Sequence, residues 1–593
     1  MIRVADYIIQ RIYDEGIKHI FMVTGRGILF LSDAVAKHSG LNSVSVHHEQ
    51  AGSFAAMAYA QYNDTPGACL VSTGCAGTNA ITGLLCAWQD AIPCIFISGQ
   101  NKLKETTRYS KIPIRTFGQQ EADIIKIVEP LTKYSTMITD HKKIAYELDK
   151  AFYFANTGHR GPVWIDVPLD IQNMRVDSES LERFLPEDDI ILSPKKNDIE
   201  YLRNAIEQSE RPAILIGSGI RSSNAINELE QFVEKYEIPL TFASSAPDIY
   251  GRENNLSIGM VGSLGGTRAG NFVVQNSDLL IVLGCRLSPM TTGPDYNNFA
   301  RAARKIVVDI DEIEHSKNTV DIDRLIVADV KKLLEELIKE KNSTSSKEWQ
   351  DKCDHWKRIF PLCEDKYKKT EKVDLHFLAD SLTHTLPPDA VLLCDAGFEE
   401  LIIPSTVTFK RWQRCLHPVS QGAMGYALPG AVGAYLASGK PTIAVIGDGS
   451  IMMNLQELQT ISFYDFPVKI IVVNNNVYSV IRNRQADLFR SRTIGTDPEN
   501  GIGCPEFKKV AECFKIPYVR VEQSDELKSK LSAIFEMDGP VLCEVMAVEN
   551  QDYLRSAYGH NSKRRIVQRP IEDQAPFIER ELLYSEMIIE PLD

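Results

Sequence analysis

Short apolar runs alternate with apolar residues at helical spacing along most of the chain. In its last third, the runs Thr442–Ile446 and Val468–Val473 are rich in β-branched residues, and each predicts a buried strand. Between them, apolar residues recur at helical spacing: Ile451, Leu455, Leu458 and Ile461. Pro467 ends the predicted helix. This order predicts a βαβ unit, whose two strands run parallel and end at the same edge of the sheet.

The same alternation fills three parts of the chain and predicts a doubly wound parallel sheet in each. We predict an α/β protein with domains at residues 1–180, 190–335 and 370–550, followed by a tail at 551–593. A polar linker (Asp177–Asp198) and a charged helical connector (Lys331–Lys372), predicted to present a solvated face, separate the three domains. The length of 593 residues suits three or four domains.

Composition and charge narrow the class of protein. The formal charge is −14 and no basic run stands out, which argues against a nucleic-acid-binding surface. Apolar runs are too short to cross a bilayer, and Met1–Asp14 lacks the apolar core of a signal peptide. The twelve cysteines are scattered without a CxxC pair, so we expect free thiols in a reducing compartment. These features predict a cytoplasmic protein that acts on small molecules.

Polar residues follow both strands of the βαβ unit at the edge where they end. The turn Gly447-Asp448-Gly449-Ser450 follows the first strand, and Asn475 follows the second. Open α/β sheets bind ligands at this edge. This edge offers only oxygen ligands: one carboxylate, one amide oxygen and a nearby carbonyl. Such a site suits Mg²⁺. The start of the helix offers N–H groups to an anion. We predict a magnesium and phosphate site; a turn with glycines for tight geometry is the alternative.

Glu49 follows another short apolar run, in the first domain. Apolar neighbours such as Val46 and Phe54 would let its carboxyl share or donate a proton. By position alone, a glutamate that caps the helix starting near Ala51 is the simpler interpretation.

Several motifs resemble those of one enzyme family. The GDG of the turn, followed one helix later by NN, resembles the diphosphate and metal signature of thiamine diphosphate (ThDP) enzymes. The stretches HHEQAGSFAAMAYAQ and STGCAGTNAITGLLCAWQDAIPCIFISGQ resemble the pyrimidine-binding domain of the acetolactate synthase-like family, of the large catalytic subunit type. The tail resembles homologues from surface-sugar synthesis. The resemblance implies pyrimidine-binding, central and diphosphate-binding domains with ThDP and Mg²⁺.

The resemblance also implies roles for individual residues. The implied catalytic residues are Glu49, which would hydrogen-bond the aminopyrimidine ring, and Gln120. The implied cofactor-binding residues are Gly397, Met424, Gly447, Asp448, Gly449, Ser450 and Asn475. The implied metal ligands are Asp448, Asn475 and the Val477 carbonyl.

FAD is a further candidate cofactor, because the central segment resembles the domain that holds FAD in some members. The resemblance lies in GMVGSLGGT, GCRLSPMTTG, VVDID and VADV. The implied flavin-binding residues are Gly217, Gly219, Arg286, Asp309 and Asp329. Taken alone, the GSG of the first turn is more typical of a structural turn. The sequence also departs from the family where Ser288, Pro289 and Met290 replace two acids and an arginine.

Three positions depart from acetolactate synthases. Gln119 stands where an aromatic residue is usual, and Arg484 stands where a tryptophan helps to select a small acceptor. An arginine there suits an acceptor with hydroxyls or a phosphate; the alternative is that it faces solvent or pairs with Asp487. Glu399 replaces a polar residue next to the predicted diphosphate site, so we expect its side chain to point elsewhere.

These residues predict a ThDP-dependent carboligase that decarboxylates a 2-oxo acid, pyruvate above all, and transfers the two-carbon unit to a carbonyl acceptor such as a keto-sugar. The alternatives are acetolactate synthase, a simple 2-oxo acid decarboxylase, and a catalytically silent ThDP- or FAD-binding regulatory homologue. The resemblance implies a homodimer or homotetramer with active sites between subunits.

Overall fold

Three six-stranded parallel sheets organise the molecule, as predicted. The computed structural model describes residues 1–63, 65–186, 192–339, 345–561 and 563–592. Part of the predicted linker and connector, at 187–191 and 340–344, lies outside the described residues, as does residue 593 of the tail. Among the described residues, no helix is both long and apolar enough to cross a membrane.

The first sheet has the strand order β3-β2-β4-β5-β7-β6, and a small antiparallel pair, β1 with β8, lies apart from it. The strands are β1 (Ile2–Arg3), β2 (His19–Met22), β3 (Asn42–Ser45), β4 (Gly67–Val71), β5 (Cys94–Gln100), β6 (Tyr134–Met137), β7 (Val163–Pro168) and β8 (Arg175–Val176). The helices are α1 (Val4–Asp14), α2 (Leu29–Lys37), α3 (Glu49–Asn63), α4 (Cys75–Asn79), α5 (Ile81–Gln89), α6 (Thr107–Ser110), α7 (Ile124–Val128), α8 (Ile144–Asn156) and α9 (Leu169–Asn173).

The central sheet has the order β11-β10-β9-β12-β13-β14. Its strands are β9 (Pro212–Ile216), β10 (Leu240–Phe242), β11 (Ser257–Met260), β12 (Leu279–Leu283), β13 (Arg304–Asp309) and β14 (Arg324–Val327). The helices are α10 (Lys196–Gln208), α11 (Gly219–Ser222), α12 (Ile226–Tyr236), α13 (Arg268–Asn276), α14 (Pro289–Thr292), α15 (Val330–Leu337) and α16 (Lys347–Ile359).

The connector differs from the solvated helix predicted for it. Its helix α16 buries Trp349 and Trp356, which are 2% and 0% exposed, against the central sheet. The indole N–H of Trp349 donates to the carbonyl of Pro212 at 2.9 Å. The charge pattern hid this face because two tryptophans seven residues apart are enough to dock a helix whose other positions are polar.

The third sheet has the order β16-β15-β17-β18-β20-β19. Its strands are β15 (Val391–Cys394), β16 (Arg414–Leu416), β17 (Thr442–Gly447), β18 (Val468–Asn474), β19 (Tyr518–Val521) and β20 (Val541–Met546). The helices are α17 (Leu375–Thr385), α18 (Phe398–Thr406), α19 (Ala427–Ser438), α20 (Glu457–Tyr464), α21 (Ser479–Phe489), α22 (Phe507–Cys513) and α23 (Leu527–Phe535).

The predicted βαβ unit is present, but its helix is shorter than the apolar spacing suggested. The strands β17 and β18 pair in parallel from Thr442 opposite Val468 to Gly447 opposite Val473. Between them, a 3₁₀ turn at Ile451–Met453 precedes α20, which starts only at Glu457. Asn454 accounts for the break. Its side-chain Nδ2 donates a hydrogen bond to the carbonyl of Gly425 at 2.9 Å, and this bond competes with a regular helix at that position.

The tail wraps onto the central domain. It contains β21 (Tyr558–His560), β22 (Ile566–Gln568) and α24 (Arg580–Glu586). Buried amides on α13 bind it: Asn271 donates to the carbonyl of Ile571 at 2.9 Å, and Gln275 donates to Glu572 at 2.7 Å. These amides are fully buried, and the tail supplies part of their hydrogen bonds; the rest lie within the central domain, to the backbone of Gly262 for Asn271 and of Asn298 and Ala300 for Gln275.

One arginine joins all three domains. Arg414 donates to Asp248 of the central domain at 2.8 Å and to the carbonyls of Gln61 and Tyr62, at the end of α3, at 2.8 and 3.1 Å. Asp248 is 6% exposed and also lies 3.1 Å from Arg221. The helices α3 and α19 pack directly on each other beside this junction, where a Cβ on Gly433 would lie 2.0 Å from the carbonyl oxygen of Ala55.

Candidate active site

The turn after β17 holds one buried carboxylate at the strand edge. Asp448 is 3% exposed, and its Oδ2 accepts N–H groups from Asn475, at 3.1 Å, and from Asn476. Its Oδ1 accepts the N–H of Gly449 at 2.6 Å. Burial raises the pKa of Asp448 to about 6, and the three backbone N–H groups oppose that rise. The ends of β17 and β18 therefore meet at Asp448, as the sequence predicted.

Asn475 and Val477 bring further oxygen atoms to the same corner. The side-chain amide of Asn475 accepts the Val477 N–H at 3.1 Å and donates to Ser479 at 2.8 Å. The Val477 carbonyl accepts the Ser479 N–H at 2.9 Å. The Asn475 oxygen keeps a lone pair beyond the bond it makes. The Val477 carbonyl has a second, 3.4 Å contact from the Ser479 hydroxyl, which can donate to the Glu549 carbonyl at 3.5 Å instead. One carboxylate with two neutral oxygens is a donor set that fits Mg²⁺ with phosphate and water as its other ligands.

Asp395, at the end of β15, was not among the predicted site residues, although it organises the neighbouring loops. Its carboxylate is fully buried and accepts N–H groups from Gly425 at 2.9 Å and Ala427 at 2.8 Å. The Ser450 hydroxyl also donates to it. Asp395 thus joins the β17 turn to the segment that carries Met424, which is half-buried. Its position after an apolar run was the signal available in the sequence.

Glu399 corrects one expectation, because its carboxyl points into the site. A Cβ added to Gly447 would lie 3.1 Å from its Oε1, and one added to Gly397 would lie 2.7 Å from its Oε2. Gly397 has φ +112°, so α18 starts immediately after it and turns its second residue toward the strand edge. Burial and the charges of Asp448 and Asp395 raise the pKa of Glu399 to about 8. A neutral carboxyl can donate a hydrogen bond to an anion here.

The next residue, Glu400, faces a buried histidine instead of other acids. Glu400 lies 3.3 Å from His417, whose Nε2 lies 2.9 Å from the carbonyl oxygen of Ser244. Burial opposes protonation of His417, but the bond to Glu400 outweighs it and raises its pKa to about 9. Glu400 and His417 therefore form a buried ion pair, whereas Glu399 lies beside other acids.

Glu49 heads α3 and is half-buried. Its Oε2 accepts a hydrogen bond from Asn79 at 2.9 Å. The residues on either side bind the segment after the β17 turn: the His47 N–H donates to Glu457 at 3.0 Å, and Gln50 accepts from Asn454 at 3.2 Å. The loop of Glu49 is thus fixed to the third domain through two polar contacts.

Gln120 lies on an exposed loop beside the turn before α4. It has φ +61°, and its carbonyl approaches Gly74 so closely that a Cβ there would lie 2.2 Å away. Gln119, where an aromatic residue was expected for a synthase, accepts a hydrogen bond from Arg26 at 2.6 Å. The structure places both glutamines near the first turns of the N-terminal sheet.

Local structure accounts for the glycines of the predicted flavin site. A Cβ on Gly217 would lie 2.4 Å from the carbonyl oxygen of Gly284, and one on Gly219 would lie 2.6 Å from the Cα of Gly284. The turns after β9 and β12 therefore touch through their backbones. Glycine is required at both positions by this packing alone.

The acids of the same site are also engaged locally. Asp309 accepts the N–H of Asp311 at 3.1 Å and lies 3.2 Å from His315. Asp329 caps α15, accepting the N–H of Lys332 at 3.1 Å, and Arg286 is exposed. Local structure therefore accounts for the contacts of both aspartates.

Arg484 lies on the exposed face of α21. The alternative partner considered for it, Asp487, pairs with Arg555 at 3.3 Å.

All twelve cysteines are free thiols, as predicted.

Comparisons with known proteins agree with this architecture. Models of thiamine pyrophosphate enzymes match the chain in three parts: the N-terminal TPP binding domain at residues 2–127, the central domain at 199–337, and the C-terminal TPP binding domain at 395–545. The site residues of the third domain lie within the last of these matches.

Curated relatives match over nearly the whole chain. The acetolactate synthase large subunit of Pyropia yezoensis is 30% identical over 560 residues, covering 92% of each chain. That of Buchnera aphidicola (Schizaphis graminum) is 32% identical over 538 residues, covering 89% of this chain and 91% of the relative. Acetolactate synthase 1 of Zea mays chloroplasts is 30% identical over 569 residues, covering 93% and 86%. The chain therefore belongs to the acetolactate synthase-like family of thiamine-diphosphate-dependent enzymes.

Proposed function

We propose that this enzyme decarboxylates a 2-oxo acid, with pyruvate as the donor, and transfers the two-carbon unit to a carbonyl acceptor such as a keto-sugar. The oxygen cluster of Asp448, Asn475 and Val477 at the strand edge is the observation that carries the proposal, together with membership of the family. When bound, ThDP would supply a carbon nucleophile for the 2-oxo acid and an electron-accepting ring for the pair released by decarboxylation.

Individual residues of the chain would hold the metal, bind the diphosphate and handle the proton at the pyrimidine ring. Asp448, Asn475 and the Val477 carbonyl would hold Mg²⁺ against the diphosphate. Glu399 would donate a hydrogen bond to a diphosphate oxygen and keep its proton, since it is buried and its pKa is raised to about 8. Glu49 would hold and move a proton at the pyrimidine ring, and Asn79 would fix its carboxyl.

We further propose that active sites form between subunits of a homodimer or homotetramer, in the cytoplasm. Support comes from large apolar side chains that stay exposed in one chain beside both halves of the site. On the segment after the β17 turn these are Met452 (41%), Met453 (47%) and Phe463 (73%), and on the loop before Gln120 they are Ile112 (50%), Ile114 (46%) and Phe117 (47%). Such side chains favour a covered surface.

Acetolactate synthase is the second candidate, since relatives at 30–32% identity carry that name. Gln119 and Arg484 argue against it, because they replace the aromatic residues of the synthases. A simple decarboxylase is disfavoured because the loop Arg108–Gln120 contains no histidine. The silent regulatory homologue is disfavoured by the cluster around Asp448.

The test is to incubate the enzyme, loaded with ThDP and Mg²⁺, with carboxyl-labelled pyruvate and with a panel of aldehydes, 2-oxo acids and nucleotide-linked keto-sugars. Release of labelled CO₂ with a two-carbon addition product supports a carboligase. Acetolactate from pyruvate alone would support the second candidate, and CO₂ release without any addition product would support a decarboxylase. Absence of CO₂ release from every 2-oxo acid would contradict all three. The visible absorbance spectrum of the purified protein would show whether FAD is bound.

A further inference from the structure

A cleft of about 320 Å³ opens between α21 and the segment that follows β20. One wall is a face of α21 formed by Asn483, Ala486 and Asp487, which are three and four residues apart. The facing wall is the segment 550–555, and Ala575 and Pro576 of the tail close one side. The volume lies within the range of about 300–1,000 Å³ found for small-molecule sites.

Polar contacts hold the two walls together near both ends. Arg482, at the start of α21, lies 3.5 Å from Glu549 and 3.3 Å from the amide oxygen of Asn550. One turn further along, Asp487 pairs with Arg555 at 3.3 Å. The cleft is therefore the space that remains between a helix and a segment already tied to each other, and it is not an accidental surface groove.

The cleft shares its walls with the proposed metal site. The helix α21 begins at Ser479, whose hydroxyl accepts from Asn475 at 2.8 Å and lies 3.5 Å from the carbonyl of Glu549. On the opposite wall, the Tyr553 ring lies 4.9 Å from the ring of Phe398, which directly follows Gly397. Both walls thus lead to residues placed around the diphosphate.

The lining combines polar residues with apolar ones such as Ala486 and Pro576, and its charges disfavour an anion. Two carboxylates, Asp487 and Asp552, face the cleft with one guanidinium, that of Arg555, which Asp487 already neutralises. A phosphate or carboxylate would meet excess negative charge at this wall. The side-chain amides of Asn483 and Asn550 offer donors and acceptors that suit hydroxyl groups.

We propose that this cleft binds the acceptor of the carboligation, and that the acceptor presents neutral hydroxyl groups to it, as a sugar does, and not a phosphate or a carboxylate. The inference rests on the proposed function and refines its substrate class. It also assigns the selection of the acceptor to the face of α21 formed by Asn483, Ala486 and Asp487. Arg484 has no part in it, since Arg484 does not line the cleft.

The test compares neutral and charged acceptors on the ThDP–Mg²⁺ enzyme. With pyruvate as donor, D-erythrose should be used with a kcat/KM at least tenfold above that of erythrose 4-phosphate or a second pyruvate. Ala486→Trp should fill the cleft and abolish addition to erythrose, while pyruvate decarboxylation without an acceptor continues. Leu488→Trp is the matched control on the opposite, 72% exposed face of the same helix, and should leave both reactions unchanged.

A milder variant keeps the test independent of folding. Asn483→Leu removes one amide at similar volume and should raise the KM for erythrose roughly 2- to 10-fold without changing decarboxylation. Unchanged erythrose addition in both cleft variants overturns the site, and a preference for erythrose 4-phosphate overturns the neutral acceptor. If the wild-type enzyme releases no CO₂ from pyruvate, the proposed function fails first, and the acceptor site fails with it.

Discussion

Replacing Glu399 with glutamine tests whether a neutral carboxyl is built into the cofactor site. In the apo-protein, the Glu399 carboxyl is buried beside Asp448 and Asp395, and its pKa is raised from 4.5 to about 8. A group whose folded-state pKa is raised adds stability that is fully present below the unfolded pKa and is lost as the pH rises through the folded one. Glutamine has nearly the same shape but cannot ionise, so the variant should not show this loss.

The size of the effect follows from linkage. Each pH unit between 4.5 and about 8 costs the wild-type protein about 1.4 kcal/mol relative to the variant, which gives an order of 4 kcal/mol at pH 8. For a domain of this size, that is a difference on the order of 10 °C in the melting midpoint. The gap should be small near pH 5 and widen steadily up to pH 8.

The assay is the thermal midpoint of EDTA-treated apo-protein from pH 5 to pH 9, for wild type and Glu399→Gln. The adjacent residue supplies the control, because Glu400→Gln should act in the opposite direction. It removes the partner of buried, protonated His417 and should cost about 3–5 kcal/mol near pH 6. Since the pKa of His417 is raised to about 9, that loss should shrink as the pH rises through 9. Parallel pH profiles for wild type and Glu399→Gln would refute the reasoning.

Four further substitutions test other parts of the structure. Asp448→Ala removes the carboxylate of the proposed metal site, so ThDP affinity, measured by calorimetry, should fall sharply and no longer respond to Mg²⁺. Glu49→Gln should still bind ThDP, but exchange of its C2 proton, followed by NMR, should slow roughly 10²- to 10⁴-fold. Arg484→Trp introduces the tryptophan of the synthases; because Arg484 lies outside the proposed acceptor cleft, the ratio of acetolactate to the acceptor product should stay unchanged. Arg414→Met should lower the urea midpoint by an amount equivalent to about 3–5 kcal/mol, since a buried pair and two carbonyl bonds are lost.

Each of these expectations has a result that would contradict it. Retained Mg²⁺-dependent ThDP binding would remove Asp448 from the metal site, and wild-type exchange rates would return Glu49 to a capping role. Gain of acetolactate from pyruvate alone in Arg484→Trp would show that Arg484 lines the acceptor site. An unchanged urea midpoint in Arg414→Met would show that the domain junction is held by apolar packing of α3 on α19.

Much of the fold could be predicted because parallel strands that are buried on both faces appear in the sequence as continuous runs of β-branched residues. The runs at Thr442–Ile446 and Val468–Val473 are strands to within one residue of their predicted ends. The meeting of Asp448 with Asn475 follows from the parallel register alone. The three-domain α/β fold and the ThDP-dependent enzyme family were predicted correctly.

What could not be predicted depends on side-chain direction and on partners distant in the chain. Glu399 points into the site because α18 begins directly after Gly397. That start depends on the φ angle of Gly397, which cannot be read from the sequence. The amides of Asn271 and Gln275 are polar and resemble surface residues in the sequence. They are buried, and part of their hydrogen bonding comes from the tail, some 300 residues later. The helix α16 is a similar case. Its charged pattern predicts a solvated face, whereas Trp349 and Trp356 are buried against the central sheet.

The docking of the tail has a consequence for the order of synthesis. The central domain is synthesised long before the tail, because the tail residues that bond α13 lie some 300 positions later in the chain. The N–H of Ile588, for example, donates to the side chain of Asn276 at 2.7 Å. Until the tail is made, Asn271, Gln275 and Asn276 on α13 keep only their hydrogen bonds within the central domain and lack those that the tail supplies. A nascent chain in this state depends on chaperones or on rapid completion to avoid aggregation. Shortened chains that stop at residue 550 should therefore accumulate in the insoluble fraction, even though all three sheets are already encoded.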